Sequence, residues 1–244
     1  MKVILCGYHW AGCEALIKLL EKNHDVFVYT HETPNHIPSL SDLCIKNKIP
    51  FSFENISNST IPFVPDIICS IYYKFIIKKN IIEACNRNIF NVHPSLLPKY
   101  RGCGSITWAI INNETSFGFT YHYIDEGCDT GNIIYQKELP IRSWDTQLSL
   151  YYRAMFESMN YFYDAFDKVI LGDLGTRQIG EASYYPRKTP YEGLIDETWN
   201  NDFVERFIRA MYYPPMAPAK FKGLDIFTFQ DYLSAVDKFD LARI

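Results

Sequence analysis

The sequence predicts an α/β fold: a mostly parallel sheet with helices on both faces, followed by a small C-terminal α+β appendage that contains a hairpin. Three observations support this prediction. Apolar runs such as residues 2–6 and 66–73 are nearly continuous, as in strands buried on both faces. Segments whose apolar residues recur at helical spacing alternate with these runs. Clusters of Gly, Pro and Asn mark the turns between the two kinds of segment.

The chain opens with a β-loop-α unit, in which a strand over 2–6 is followed by a loop over 7–12 and a helix over 11–21. Two more strands are predicted over 25–29 and 66–73. The stretch between these two strands is polar, rich in Asn and Ser, and punctuated by Pro, so we expect it to be mainly loop.

Later elements follow the same logic. Pro94 stops a strand over 89–93, Asp145 caps a long amphipathic helix and Gly172 ends it. The elements predicted from here on are helices over 105–112, 146–171 and 202–212, a hairpin of strands 117–124 and 132–141, and short strands within 220–229. We expect two domains: a catalytic domain over 1–180, and a C-terminal subdomain over 181–244 with a substrate loop and a dimer interface.

Composition limits the classes of function. The net charge of −4 and a pI near 5.9 give no electrostatic reason to expect a nucleic acid as partner, so a small metabolite fits better. The seven cysteines include no Cys-x-x-Cys pair, which predicts neither a disulfide framework nor a metal site and suits a reducing cytoplasm. No apolar run reaches the ~18 residues of a membrane helix, and the N-terminal run is too short for a signal peptide.

The candidate chemistry lies at Asn91, His93 and Asp129. Asn91 and His93 are two apart at the end of a strand, so both side chains project from one face. An Asn amide can donate to the oxygen of a carbonyl under attack, and an imidazole can take a proton from the attacking amine and deliver one to the leaving group. Asp129, in a Gly-rich loop, can orient His93, raise its basicity or order a water for proton relay.

Each of these residues has an ordinary alternative, because strand-end Asn and His residues often satisfy backbone groups and an Asp among glycines often makes a turn. The combination favours acyl transfer. Cys103 and Cys128 lie beside the predicted site, so a nucleophilic thiol is a second hypothesis, although a free Cys usually acts as a small hydrophobe.

Further binding residues are predicted late in the chain. The loop over 184–190 places Arg187 and Lys188 beside tyrosines, which suits a stacked base and a diphosphate; the alternative is a solvated loop with packing tyrosines. Arg206 and Arg209 share a helix face and can reach one anion, but a surface ion pair explains them equally well. The aromatic segment over 211–229 suggests a subunit interface.

These residues resemble the folate-dependent formyltransferases. The resemblance rests on Asn91-Val-His93, on residues 95–102, on Trp108-Ala-Ile110 and on the run from Asp125 to Ile133, and it extends over roughly the first 215 residues. Within that family the chain is most similar to sugar N-formyltransferases. It departs at Gly104-Ser105, where many relatives carry Ala or Ser followed by Pro.

The resemblance implies a Rossmann-like catalytic domain and transfer of formyl from 10-formyltetrahydrofolate, without a metal, to the amine of a nucleotide-linked amino sugar. The acceptor expected first is dTDP-4-amino-4,6-dideoxyglucose, in a cytoplasmic homodimer serving O-antigen synthesis. Asn91, His93 and Asp129 match the catalytic residues of the family. The residues expected to hold the folate are Tyr72, Phe75, Ile76, Ile77, Cys103, Asp125, Glu126, Gly127, Cys128 and Asp129. Those expected to bind the sugar nucleotide are His9, Trp10, Tyr185, Arg187, Lys188 and Arg209.

Other acceptors remain open at this stage. UDP-4-amino-4-deoxyarabinose fits the same residues, and so does glycinamide ribonucleotide, although the latter leaves the Tyr/Arg-rich loop unexplained. Methionyl-tRNA normally requires a basic C-terminal domain that this sequence does not show. A different class is a binding protein that retains folate or nucleotide affinity without turnover.

Overall fold

The computed structural model describes residues 1–241, and within them the chain forms eleven strands and eight α-helices. In chain order the strands are Lys2–Gly7 (β1), Asp25–Tyr29 (β2), Phe51–Ser52 (β3), Ile67–Ile71 (β4), Ile89–His93 (β5), Arg101–Gly102 (β6), Ser116–Tyr123 (β7), Ile133–Pro140 (β8), Tyr184–Tyr185 (β9), Ala219–Phe221 (β10) and Leu224–Ile226 (β11). The helices are His9–Glu21 (α1), Leu40–Asn47 (α2), Lys79–Ala84 (α3), Ser105–Ile111 (α4), Gln147–Asn160 (α5), Phe162–Ile170 (α6), Asn201–Met211 (α7) and Phe229–Leu241 (α8).

The main sheet of the described chain has seven strands in the order β3-β2-β1-β4-β5-β7-β8. The first five strands in this order, β3, β2, β1, β4 and β5, pair in parallel, and β7 runs antiparallel to β5. The inner strands are mainly apolar because both faces are covered; every residue of β4 is buried, for example. The prediction of a mostly parallel α/β sheet is therefore confirmed.

The chain divides into two compact units. The first consists of Met1–His93, Phe119–Lys137 and Met155–Glu181, and the second of Pro94–Gly118, Glu138–Ala154 and Ala182–Ile244. The domains predicted over 1–180 and 181–244 stay a prediction about folding units. In the structure the second unit also takes in two stretches from earlier in the chain.

The first unit has its core between the sheet and flanking helices, with Ile4, Ile68 and Ile89 fully buried. The second unit has a separate core in which α4 packs against α7, around Phe207 and Val204. Burying side chains of this size contributes about 1.5–3 kcal/mol each. Within residues 1–241 no helix is long and apolar enough to cross a membrane.

The predicted helix over 146–171 is wrong as a single element, because α5 ends at Asn160 and α6 begins at Phe162. Tyr161 interrupts it: its N–H donates to the carbonyl of Ser158, three residues back, which tightens the turn. The ring of Tyr161 stacks on Tyr135, and its hydroxyl accepts from Lys137 Nζ. Tertiary packing of one aromatic side chain thus overrides a continuous helical pattern. The cap is also displaced, since Thr146 Oγ1, not Asp145, accepts from the Ser149 N–H.

Three other expectations need correction. The stretch between β2 and β4 is not mainly loop; it contains α2, β3 and a 3-10 turn at Ile56–Asn58. The strand predicted to reach residue 73 ends at Ile71, because Tyr72 takes a left-handed φ of 59°. Beyond the short antiparallel pair β10-β11 the chain forms α8, where no helix was predicted.

Candidate active site

The carboxyl ends of three adjacent parallel strands carry the first group of predicted residues. His9 follows β1, Tyr72 follows β4 and His93 ends β5, and these strands are neighbours in the sheet. Because parallel strands open to ligands at this edge, the fold brings the three positions to one edge of the sheet in the first unit. His9 and Tyr72 both have a left-handed φ, 63° and 59°, a conformation that ordinary residues rarely adopt outside functional or strained sites.

Register explains the position of Asn91. In the pairing of β4 with β5, Ser70 lies beside Asn91, and in the pairing of β5 with β7, His122 lies opposite Asn91. The three side chains form a chain of hydrogen bonds across the sheet. Ser70 Oγ donates to Asn91 Oδ1 over 3.1 Å, and Asn91 Nδ2 lies 3.2 Å from His122 Nε2.

The partners of His122 define the orientation of the Asn91 amide. His122 Nδ1 lies 2.8 Å from the Tyr123 carbonyl oxygen, which can only accept, so Nδ1 carries a proton. In the neutral ring Nε2 then accepts, and Asn91 Nδ2 donates to it. This uses one of the two hydrogens on Asn91 Nδ2, while Ser70 occupies Oδ1. The amide is fixed with its second N–H as a donor of defined direction.

Asp129 lies between two imidazole rings. One carboxylate oxygen is 3.6 Å from Nδ1 of His93, and the other is 3.4 Å from Nε2 of His122. Both rings are buried, and the Asp129 side chain is 15% exposed, so solvent screens these interactions only weakly. A proton on Nδ1 of His93 faces a carboxylate, which favours the tautomer whose Nε2 carries the lone pair.

Hydrogen bonds to the backbone and a position that requires glycine hold the loop that carries Asp129. Asp129 has a φ of 54°, and Gln178 Nε2 donates to its carbonyl and to that of Gly131, both over 2.8 Å. A Cβ on Gly131 would lie 1.9 Å from the Tyr123 carbonyl oxygen, so glycine is required there. Asp125 Oδ1 accepts from the Gly127 N–H and from Thr130 Oγ1, which closes the turn before Asp129.

The other residues predicted to hold the folate are divided between the units. Tyr72, Phe75, Ile76 and Ile77 and the loop from Asp125 to Asp129 belong to the first unit, and an exposed ion pair of 3.1 Å joins Lys79, at the start of α3, to Glu126 in that loop. Within the loop, Cys128 Sγ lies 3.6 Å from Asp129 Oδ2. Cys103 belongs to the second unit, where its N–H donates to the Tyr185 carbonyl over 2.8 Å.

The residues predicted to bind the sugar nucleotide are also divided. His9 and Trp10 lie in the first unit; burial lowers the pKa of His9, and Trp10 packs edge-on against Phe156 at 4.4 Å. In the second unit Tyr185 is stacked on both Tyr100 and Trp108, so its ring has the packing role that the sequence left open.

Of the cations predicted to bind the sugar nucleotide, Arg187 and Lys188 are exposed. Arg209 donates to Glu205 and to the Asp145 carbonyl, which matches the ion-pair alternative for this residue.

Sequence reasoning assigned no role to His122, Gln178 or Ser70. The strand over 117–124 alternates in polarity, and this alternation places His122 on the face opposite its aromatic residues, which the structure also buries. The pairing of His122 with Asn91 was not predictable, because register between strands is not visible in one sequence. Within residues 1–241 no group of three or more His, Cys, Asp or Glu converges in a metal-binding arrangement.

This fold and this set of side chains agree with the family comparison. The formyl transferase family profile matches residues 15–166, which is more than half of the chain. The chain therefore belongs to the formyl transferase family.

Curated relatives match part of their own length. GDP-perosamine N-formyltransferase of Brucella melitensis is 42% identical over 160 residues, covering 66% of this chain and 62% of that enzyme. The bifunctional polymyxin resistance protein ArnA of Wigglesworthia glossinidia brevipalpis is 32% identical over 228 residues, covering 88% of this chain and 35% of that protein. The chain thus spans less than two thirds of the length of either relative.

Solved structures share the fold at lower identity. An N-formyltransferase from Helicobacter canadensis, in complex with folinic acid and dTDP-3-aminofucose, has a TM-score of 0.77 at 24% identity, covering 93% of this chain and 86% of that one. A 4-N formyltransferase from Francisella tularensis has a TM-score of 0.77 at 20% identity, covering 93% and 96%. These likenesses establish the α/β fold.

Proposed function

We propose that this protein transfers a formyl group from 10-formyltetrahydrofolate to the amine of a nucleotide-linked amino sugar. The observation that carries the proposal is the convergence of Asn91, His93 and Asp129 at the carboxyl ends of the parallel strands, in a chain that belongs to the formyl transferase family. No part of this arrangement needs a metal, because an amide donor and an imidazole supply what acyl transfer to an amine requires.

Asn91 stabilises the developing negative charge. When an amine attacks a carbonyl carbon, the carbonyl oxygen gains charge, and a donor that is already oriented stabilises this charge without having to reorganise. Ser70 and His122 fix the Asn91 amide from both ends, at 3.1 and 3.2 Å, which leaves its second N–H for that oxygen. Ser70 and His122 are positioning residues in this account.

His93 moves the proton. The attacking amine must lose a proton and the departing nitrogen must gain one, and an imidazole can serve both steps near neutral pH. The carboxylate of Asp129, 3.6 Å from Nδ1, stabilises the imidazolium form that exists between the two steps. His122, on the other oxygen of Asp129, limits where that carboxylate can move.

The folate is proposed to bind along the segment Tyr72–Ile77 and the loop Asp125–Asp129. Two features support this position. Both segments belong to the first unit together with the catalytic residues, and the Lys79–Glu126 ion pair links the loop to the start of α3, which follows the first segment directly.

The nucleotide of the acceptor has two candidates. The resemblance to sugar N-formyltransferases favours dTDP, and the Helicobacter canadensis neighbour is described in complex with dTDP-3-aminofucose. The Brucella melitensis relative is named for a GDP-linked sugar, and its identity of 42% exceeds the 24% of the Helicobacter canadensis neighbour. GDP is therefore the second candidate. The sugar that we expect first remains 4-amino-4,6-dideoxyglucose.

A mass-spectrometric assay tests the proposal. The protein is incubated with 10-formyltetrahydrofolate and a panel of dTDP-, GDP- and UDP-linked 3-amino and 4-amino sugars, and each acceptor is examined for the mass of one added formyl group. We expect one acceptor, or a closely related pair, to be formylated. Absence of product across the panel, from protein that still binds folate, would contradict the proposal in favour of a binding protein without turnover.

The cellular setting is proposed with the activity. We propose a cytoplasmic homodimer acting in surface-polysaccharide or O-antigen synthesis, the use that the resemblance to sugar N-formyltransferases implies. The exposed side chains of Met216 and Phe227 support an interface along the segment 211–229. Light scattering coupled to size-exclusion chromatography tests the dimer: a mass of one chain at assay concentration would contradict it.

A further inference from the structure

The second unit contains a groove that the catalytic account does not use. Its volume is about 660 Å³, within the range of small-molecule sites. Three of its eleven lining residues are aromatic and three are charged. The aromatic members are Trp108, Tyr191 and Trp199, and the charged members are Lys188, Glu192 and Asp196.

The aromatic walls are held rigidly. Tyr191 lies edge-on to Trp199 at 4.9 Å, and Trp199 packs against Phe203 at 4.6 Å and Phe207 at 5.1 Å. Trp108 is stacked on Tyr185 at 4.7 Å. Rings held in this way form a surface that binds a planar heteroaromatic ring by stacking, at little cost in conformational entropy.

The turn that brings Tyr191 and Glu192 to the groove is strained. Their φ values are 48° and 57°, so two successive residues other than glycine occupy the left-handed region. Such residues persist where the surrounding structure enforces them, and they cluster at ligand sites. Here the strained turn places an aromatic side chain and a carboxylate along the same groove.

The two carboxylates of the groove differ in how many of their oxygens already accept hydrogen bonds. Oδ1 of Asp196 already accepts from the N–H and the hydroxyl of Thr198, over 2.8 and 2.7 Å, and these hydrogen bonds lower the pKa of the Asp196 carboxyl. Within residues 1–241 the side chain of Glu192 has neither an ion pair nor a hydrogen bond, so both of its oxygens are available to a ligand.

We infer that this groove binds the guanine base of a guanosine-diphosphate-linked sugar and that Glu192 recognises the base. This deepens the proposed function and rests on it, since it assumes a nucleotide-linked acceptor. Guanine presents two adjacent donors, N1–H and the 2-amino group, which match the two oxygens of one carboxylate. Lys188 supplies the donor that O6 and N7 of guanine require.

The same groove disfavours the other bases. Thymine and uracil present a single N–H between two carbonyl oxygens, and these oxygens would face the negative charge of Glu192. Adenine presents a ring nitrogen acceptor beside its amino group, so it can satisfy only one of the two carboxylate oxygens. The charge pattern of the groove therefore selects guanine over the pyrimidine of dTDP.

Isothermal titration with GDP and with dTDP tests this inference, without formyl donor or amino sugar. Wild-type protein is expected to bind GDP at least about tenfold more tightly than dTDP. Glu192→Gln is expected to weaken GDP binding by about tenfold, because it exchanges one acceptor for a donor. The same change is not expected to weaken dTDP binding, because it removes the negative charge that faces the thymine carbonyl oxygens. Glu181→Gln, at an exposed site in the first unit, is the matched control and should bind GDP as wild type does.

The outcomes separate this inference from the proposed function. Equal or tighter binding of dTDP by the wild type, or wild-type GDP affinity in Glu192→Gln, would overturn the guanine assignment even if the protein formylates an amino sugar. Preferential GDP binding that is lost in Glu192→Gln would support the assignment. Combined with an absence of formyl transfer to any amine, it would overturn the proposed enzyme activity alone.

Discussion

Nε2 of His122 lies 3.4 Å from Oδ1 of Asp129, while the other oxygen of the same carboxylate lies 3.6 Å from Nδ1 of His93. One half-buried carboxylate thus faces two imidazole rings, one at each oxygen. A proton on Nδ1 of His93 meets the negative charge, whereas Nε2 of His122 accepts from the Asn91 amide and contacts the carboxylate from its other side. His122 also contacts Asn91 through a hydrogen bond, so the oxyanion donor and the proton carrier lie in one cluster of side chains.

Loss of either member of the proton-transfer pair is expected to reduce catalysis while leaving folate binding nearly intact. His93→Ala and Asp129→Ala should each lower kcat by at least ~10²-fold, because proton transfer and stabilisation of the imidazolium occur in the transition state. Steady-state kinetics and folate titration measure the two effects. A wild-type rate in either variant would remove that residue from the mechanism.

Ser70→Ala tests the positioning of Asn91. Without the donor to Oδ1 the amide can rotate, and we expect kcat to fall by about tenfold with KM for the folate nearly unchanged. Ser234→Ala, on an exposed helix position, is the control. A change confined to KM would show that Ser70 acts on binding and not on the amide.

Two cysteine variants test the hypothesis of a thiol nucleophile. Cys103 is half-buried and Cys128 is exposed, and neither forms a disulfide. We expect Cys103→Ala and Cys128→Ala to keep kcat within about threefold of wild type, since amine attack on the formyl carbon requires no covalent enzyme intermediate. A loss of more than ~10²-fold, together with a formylated thiol detected by mass spectrometry, would favour the nucleophilic route.

Arg187→Ala is expected to weaken binding of the nucleotide sugar by about 1–3 kcal/mol through loss of a charge-assisted contact to the diphosphate. Arg187 is exposed, so its removal should leave folding unaffected. Arg177→Ala, at an exposed site of the first unit, is the matched control. If calorimetry gives the same dissociation constant for Arg187→Ala and wild type, Arg187 is a solvated surface residue that does not contact the diphosphate.

The environment of His31 predicts that the free energy of unfolding depends on pH. Burial, and then the charge of Lys74, lowers the pKa of His31 to about 4, while an unfolded His titrates near 6.5. Between these values the unfolded chain binds a proton that the folded chain does not, so stability falls as the pH drops from about 6.5 to about 4. Its ring is stacked on Tyr8 at 3.8 Å, and Nδ1 has no hydrogen-bond partner in the described structure.

Denaturant unfolding of wild type and His31→Gln at pH 7.5 and pH 5 measures this contribution. We expect the wild type to lose about 1–3 kcal/mol more than the variant over that interval. His36→Gln, at an exposed position, should behave like wild type. An equal loss in wild type and His31→Gln would show that other groups account for the acid sensitivity.

Much of the fold and the centre of the site were predictable from local patterns. The buried strands were predicted correctly because parallel strands that are covered on both faces have nearly continuous apolar runs. Asn91 and His93 could be placed on one face from the two-residue period of a strand. The interruption at Tyr161 and the helix α8 were not predictable. The first depends on a tertiary stack with Tyr135, and the second on burial of Tyr232 in a core formed by distant segments.

In the candidate site, too, the features that depend on tertiary contacts could not be predicted from the sequence. Asp129 was identified because a Gly-rich turn is visible in sequence, whereas the role of His122 depends on β7 pairing antiparallel to β5 in one particular register. Arg209 shows the reverse case. Its spacing from Arg206 suggested an anion site, but its guanidinium is engaged by Glu205 and a backbone carbonyl that lies 64 residues away in the chain.

The most direct test follows the formyl carbon itself. 10-Formyltetrahydrofolate labelled with ¹³C in the formyl group is mixed with the protein and the acceptor found in the panel assay, and the reaction is monitored by NMR for wild type and for His93→Ala. The account predicts that wild type moves the label onto the sugar nitrogen as an amide and that His93→Ala does so at least ~10²-fold more slowly. Label released as formate, or amide formed equally fast by the variant, would contradict it.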